Sequence, residues 1–246
     1  MWHSGGIATG VSCMALSQAD RRLFDLRWQR SHADLFQPLE LLYGANPGFE
    51  VRLKDLLLAR WSERAAELKD LDLQRDLNPD WFLSETMVGY VFYVDRFAGN
   101  FTGVLDHIDY LETLGVTYVH FMPCLKPRPG DSDGGYSVMD YRAINPELGT
   151  MADFEKVART FRHKGMSVCF DLVLNHTAKE HGWAQKARAG DTKYQAYYHM
   201  FDDEKKTLEY EKTLVEVFPN DAPGNFTFYP GLGNTSGPPS MNTSGI

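Results

Sequence analysis

The side chains in this sequence that could do chemistry lie in two short stretches. The first, residues 166–177, is an apolar run that ends in Asp171-Leu-Val-Leu-Asn175-His176. Val168 to Leu174 reads as a buried strand, because its length, its β-branched content and the upstream Gly165 favour strand over helix. A carboxylate in such a strand costs free energy unless a donor pairs with it, and alternation puts Asp171, Val173 and Asn175 on one face. His176 falls at the strand's C-terminal end, where alternating β/α folds build their sites. Two readings stand side by side: a ligand site, or a buried aspartate satisfied by neighbouring backbone beside an incidental loop histidine. The second stretch is Asp133-Gly-Gly-Tyr136, an acid and an aromatic face joined by two glycines that allow close backbone approach. It is either a ligand-contacting loop or a Gly-Gly turn with an exposed aspartate and a tyrosine packed beneath it.

Other chemistries find less support. His176, Glu180 and His181 raise metal binding, but H-x-x-x-E-H is one residue too long for the inverted zincin pattern and H-E-x-x-H is absent, so no metal is expected. Gly-x-Ser-x-Gly and Gly-x-x-x-x-Gly-Lys are missing too, and with them the serine nucleophile elbow and the phosphate cradle. Cys13, Cys124 and Cys169 are odd in number and widely spaced, which suits a reducing compartment rather than a disulfide framework. A net charge of −8 with no Lys/Arg block argues against nucleic acid and anionic membrane surfaces, so a neutral ligand fits better. No cofactor is implied. The longest apolar stretches, such as Met87 to Val94, are too short to span a bilayer, and no basic-then-apolar leader opens the chain. A cytoplasmic protein is therefore expected.

The elements that must position these residues follow from the pattern. Residues 1–16 are small and polar and read as a loose tail. A helical domain is expected over 17–84, opening at a Ser17–Asp20 capping box and interrupted at Pro38, which starts a second short helix closed by Gly44. A third helix is expected from Phe49 to Lys69, with Leu53, Leu56, Leu57, Trp61, Ala65 and Leu68 inward. From 85 to 176 the pattern alternates: strand Met87–Tyr93, helix Thr102–Leu114 stopped by Gly115, strand Val116–Met122, a long loop over 123–149, helix Thr150–Lys164, then the strand carrying Asp171. This is α/β with a parallel sheet, and the pattern does not separate a closed barrel from a doubly wound sheet. Residues 177–222 are rich in aromatic and charged groups. No charge occurs after Asp221, and 223–246 is a low-complexity tail of Gly, Pro, Asn, Ser and Thr.

Asp171-Leu-Val-Leu-Asn175-His176 resembles the D-x-x-x-N-H strand of the α-amylase family of glycoside hydrolases. Asn78-Pro-Asp-Trp-Phe82, Tyr93 to Asn100, Ser132 to Val138, Asn145-Pro-Glu-Leu-Gly-Thr150 and His181-Gly-Trp-Ala-Gln185 extend the likeness, which runs from about residue 18 to 222. With the helical segment, they look like the amylosucrase branch, which makes α-1,4-glucan and fructose from sucrose. The resemblance chooses the barrel, so the fold expected is a helical N-terminal domain followed by the first three β/α units of an incomplete (β/α)8 barrel. Residues 177–222 would begin the excursion after the third strand.

The resemblance also implies roles. Tyr136 would be the stacking platform of the glucose subsite, Asp133 would close its floor by pairing with an arginine much later in the family's chain, and His176 would bond a glucose hydroxyl. Asp171, Asn175 and Asp95 would be structural, without calcium at Asn175. Sucrose and α-glucan would be the substrates, handled by a retaining mechanism with an Asp nucleophile and a Glu acid. In the family these follow the fourth and fifth strands, beyond this chain, whose barrel portion is shorter than the about 250 residues of a complete barrel. Negligible turnover by the 246 residues alone is the expectation. The alternatives are a sucrose hydrolase, sucrose phosphorylase or other α-glucosidase of the same family, or a non-catalytic fragment with weak or no sugar binding.

Overall fold

The structure, a computed structural model, describes residues 16–130, 133–201, 204–215, 224–228 and 240–241. Residues 1–15 of the tail expected over 1–16, and most of that expected over 223–246, lie outside the described residues. The chain divides into two compact units, Met1–Phe82 and Leu83–Ile246.

The first unit is helical. Ser17 caps α1 (Gln18–Tyr43), its hydroxyl accepting from the Asp20 amide at 3.0 Å. Pro38 does not interrupt α1 as expected. Proline removes a single ladder bond, and the leucine-rich turn beyond it carries the helix on to Gly44. The helix expected over residues 49–69 is instead two, α2 (Pro47–Glu63) and α3 (Ala66–Leu77), separated where Arg64 turns extended. The break brings the Arg64 guanidinium onto Asp72 with two bonds of 2.6 and 2.8 Å, while Arg27 and Arg30 of α1 each hold Asp76 at 3.0 Å. Trp61 is buried and donates its indole N–H to the Asp20 carbonyl, but Leu56 and Leu57, expected inward, are exposed.

The second unit alternates. In chain order it holds β1 (Gly89–Phe92), α4 (Val94–Ala98), α5 (Phe101–Leu105), α6 (Ile108–Thr113), β2 (Tyr118–Phe121), β3 (Leu125–Pro127), β4 (Val138–Ile144), α7 (Met151–His163), β5 (Ser167–Phe170), α8 (Gly182–Arg188) and α9 (Thr192–Gln195). β6 (Met200–Phe201), α10 (Glu204–Glu211), β7 (Thr227–Phe228) and β8 (Ser240–Met241) follow, with β8 pairing antiparallel to both β6 and β7. β1, β2 and β5 form a parallel sheet with β2 central. The helix expected over 102–114 breaks at Asp106 and His107 into α5 and α6. The loop expected over 123–149 contains the irregular antiparallel hairpin β3–β4, whose bulged register hides the period-two signal. β5 ends at Phe170, so Asp171 is the first residue past the strand rather than within it.

Register and alternation assign the two faces of the sheet. Phe92, Val119 and Phe121 face the helices, and Phe121 is fully buried with Phe92, Phe101 and Phe161 at ring-centroid distances of 5.3, 5.6 and 6.0 Å. Burying a side chain of this kind stabilises by about 1.5–3 kcal/mol, so this layer holds the strands in place. α7 is fixed at its start by a reciprocal box: the Thr150 hydroxyl accepts from the Asp153 amide and the Asp153 carboxylate accepts from the Thr150 amide at 2.8 Å. The Thr150 hydroxyl also donates to that carboxylate at 2.6 Å, and this bond first, then the amide's, holds the carboxyl below its usual range. Val91, His120 and Cys169 lie in register on the face away from the helices.

Candidate functional site

The polar groups gather where β2 and β5 end. Asp171, one residue beyond β5, is held at both carboxylate oxygens. His120 of β2 bonds one through Nε2 at 2.8 Å, and the Tyr136 hydroxyl donates to the other at 3.2 Å. Tyr136 reaches this point through Gly134 and Gly135, with φ of +80° and +86°, where side chains are strained. Space demands glycine as well. A Cβ on Gly134 would sit 3.0 Å from the Tyr93 hydroxyl, and one on Gly135 would sit 3.1 Å from both the Cβ and the carbonyl oxygen of Pro123.

His176 joins the same group, its Nε2 lying 3.2 Å from the Tyr136 carbonyl. A carbonyl only accepts, so Nε2 carries the hydrogen and a neutral ring keeps Nδ1 as an acceptor. Asp133 adjoins it: one carboxylate oxygen accepts from the Gly135 amide at 3.0 Å, and the other is buried with no partner among the described residues. A buried, unpaired carboxylate oxygen is costly, which marks it as awaiting a donor. Burial first, then the nearby Asp171 charge, pushes the Tyr136 phenol up to about 12, so it stays a donor at ordinary pH. The same two causes push the buried Cys124 thiol up to about 12, which keeps it an inert packing group.

Tyr136 and His176 are thus directly bonded, and Asp133 is tied to the turn that delivers Tyr136. Asp171, read from the sequence as a strand-end prop, bonds the proposed stacking ring itself. Asp95 is exposed in the first turn of α4 and Asn175 is exposed beyond β5, and neither takes part in these bonds. Sequence reasoning missed His120. Its signal was an imidazole in the strand-like run Val116 to Met122, on the period-two face opposite Val119 and Phe121. Of the three residues that raised a metal reading, His176 bonds Tyr136 and His181 Nδ1 caps α8 by accepting from the Trp183 amide at 3.2 Å. No group of three or more potential metal ligands is assembled among the described residues.

Parallel strands backed by helices, with polar side chains converging at the strands' C-terminal ends, define a β/α domain of the kind that carries its site on its βα loops. The profile of the alpha amylase catalytic domain matches residues 54–227, more than half of the chain, and the chain belongs to that family. Its fold is a helical N-terminal region followed by part of that family's (β/α)8 barrel. Oligo-1,6-glucosidase of Halalkalibacterium halodurans is 40% identical over 101 residues, 41% of this chain and 18% of that protein. Trehalose synthase of Pimelobacter sp. is 35% identical over 162 residues, 61% of this chain and 26% of that protein. The structure of trehalose-6-phosphate hydrolase from Bacillus licheniformis shares the fold, with a TM-score of 0.55 at 24% identity over 68% of this chain and 29% of that one. A MutB mutant in complex with glucose has a TM-score of 0.51 at 27% identity over 66% of this chain and 28% of that one. The chain spans less than a third of the length of each of these relatives.

Proposed function

We propose that Asp133, Tyr136 and His176 form the glucose-holding part of an α-glucosyl site, and that the whole protein cleaves an α-glucoside by a retaining mechanism. The bond between the Tyr136 carbonyl and His176 Nε2 carries this reading, because it ties the imidazole to the backbone of the residue that supplies the aromatic face. A sugar ring needs both, a flat face for its C–H surface and directed polar groups for its hydroxyls. The unpartnered oxygen of Asp133 adds an acceptor. The glucose bound by the MutB relative is the ligand this pocket would take.

For the donor we propose sucrose, as in amylosucrase, on the strength of the helical segment ahead of the barrel and the run Ser132 to Val138. The identity with oligo-1,6-glucosidase supports a second reading, an α-glucosidase whose acceptor is water. Competition of sucrose, isomaltose and trehalose against glucose separates the donors. Cleavage itself is assigned to segments that, in the family, follow the fourth and fifth strands. The 246-residue chain is accordingly expected to bind glucose without releasing fructose from sucrose, and steady fructose release by the purified chain would overturn that assignment. The pocket is tested by glucose titration of the wild type, Tyr136→Ala and His176→Ala. Saturable binding weakened at least about tenfold in each variant supports it, a change of about 1.4 kcal/mol, and equal binding refutes it.

A further inference from the structure

We infer that Asp171 and His120 are positioning residues that hold the Tyr136 ring at the angle a bound glucose requires, an inference that rests on the pocket proposed above. Asp171 could have been satisfied by the backbone around it. Instead both carboxylate oxygens are taken by side chains from other segments, His120 at 2.8 Å and the Tyr136 hydroxyl at 3.2 Å. The two donors approach different oxygens, so His120 fixes the rotation of the carboxylate and the carboxylate fixes the phenol.

Tyr136 is consequently pinned at both ends. Its carbonyl is engaged by His176 and its hydroxyl by Asp171, and the ring lies between those anchors. A stacking platform contributes only when its face is presented in one orientation, since ordering a loose ring on binding costs side-chain entropy. The close approach of Gly134 to the Tyr93 hydroxyl and of Gly135 to Pro123 limits backbone movement but leaves the ring's outer end free. At that end the hydroxyl meets the Asp171 carboxylate and, beside it, the Tyr93 hydroxyl. Among the described residues, the side-chain bond of His120 goes to Asp171 and not to the residues proposed to meet the sugar, so its effect passes through Asp171.

The test uses the 246-residue chain with ring-labelled tyrosine. Nuclear magnetic resonance reports the order of the Tyr136 ring without ligand, and glucose titration reports affinity. Tyr136→Phe keeps the face and removes the tether. Asp171→Asn keeps the shape and one acceptor but removes the charge, and His120→Ala frees the carboxylate to turn. Asp171→Asn and His120→Ala are expected to loosen the Tyr136 ring while leaving the circular dichroism spectrum unchanged. Each of the three variants is expected to weaken glucose binding several-fold. The double variant Asp171→Asn/Tyr136→Phe is expected to lose less affinity than the two single losses combined, because Asp171→Asn weakens the bond that Tyr136→Phe removes. A ring that stays ordered in Asp171→Asn and His120→Ala, or a loosened ring with unchanged affinity, overturns the inference. Loss of binding in Tyr136→Ala with wild-type affinity in all three variants overturns it while leaving the pocket intact. A wild-type chain that does not bind glucose removes the pocket, and with it the purpose assigned to the pair, while the ring signals separately decide whether the clamp exists.

Discussion

The Tyr141 hydroxyl lies 2.9 Å from the backbone carbonyl of His176 and 2.7 Å from that of Val173. One phenol on β4 thereby braces the turn that carries the imidazole, donating its single hydrogen between two acceptors. Burial raises its pKa above the ordinary phenol value, so the hydrogen stays in place at ordinary pH. The irregular hairpin is therefore part of the site's support, even though none of its strand residues is proposed to meet the sugar.

Tyr141→Phe keeps the ring, including its edge contact with His181 at 5.7 Å, and deletes only the donor. Leaving part-buried carbonyls short of a donor costs about 1–3 kcal/mol. Urea unfolding should show that loss, and glucose titration should show several-fold weaker binding through His176. Unchanged values in both measurements would mean that the brace is idle.

Gly135→Ala is expected to be the most damaging single-methyl change in the turn. The φ of +86° costs an L-residue about 1–2 kcal/mol, and the new methyl would meet the Pro123 backbone oxygen at 3.1 Å, an atom that cannot swing aside. Gly134→Ala meets the Tyr93 hydroxyl, the end of a movable side chain, and should cost less. Thermal melts of the two variants decide the order, and a Gly134→Ala chain that melts lower than Gly135→Ala would contradict it.

Acid should loosen α8. His181 Nδ1 accepts the Trp183 amide and so must be unprotonated, and burial lowers the ring's pKa below the usual 6.5, against a smaller opposing pull from Asp140. The unfolded chain then binds the proton more readily than the folded one, so this contribution to stability is present above about pH 6.5 and is lost as pH falls from there toward the folded value. His181→Asn retains a capping oxygen without titrating. Stability measured between about pH 7 and 5 should decline less steeply in that variant, and parallel declines would remove His181 from the account.

The sequence made the strands and the β/α alternation legible because apolar period and glycine stops are local signals, and Thr150 to Asp153 announced α7 by its own capping chemistry. It was misleading where tertiary contacts decide. Nothing in residues 62–67 marks the break at Arg64, which is paired with Asp72 further along the chain, and Pro38 was overridden by the helix formers around it. In the proposed site, Tyr136, His176 and Asp133 were singled out by residue type and by the family resemblance. His120 escaped notice because its importance depends on a partner 51 residues away, and Asp171 was credited with holding its strand rather than the ring.

Those separations also bear on how the molecule comes together. The bonds on which the proposed pocket rests span 35 residues from Tyr136 to Asp171, 40 from Tyr136 to His176 and 51 from His120 to Asp171. Helices such as α7 close over a few residues and can form early, whereas each pocket bond must wait for long loops to close against their entropy. During refolding, helical signal should therefore appear well before any capacity to hold glucose, and sugar affinity becomes a clock for the last step of assembly.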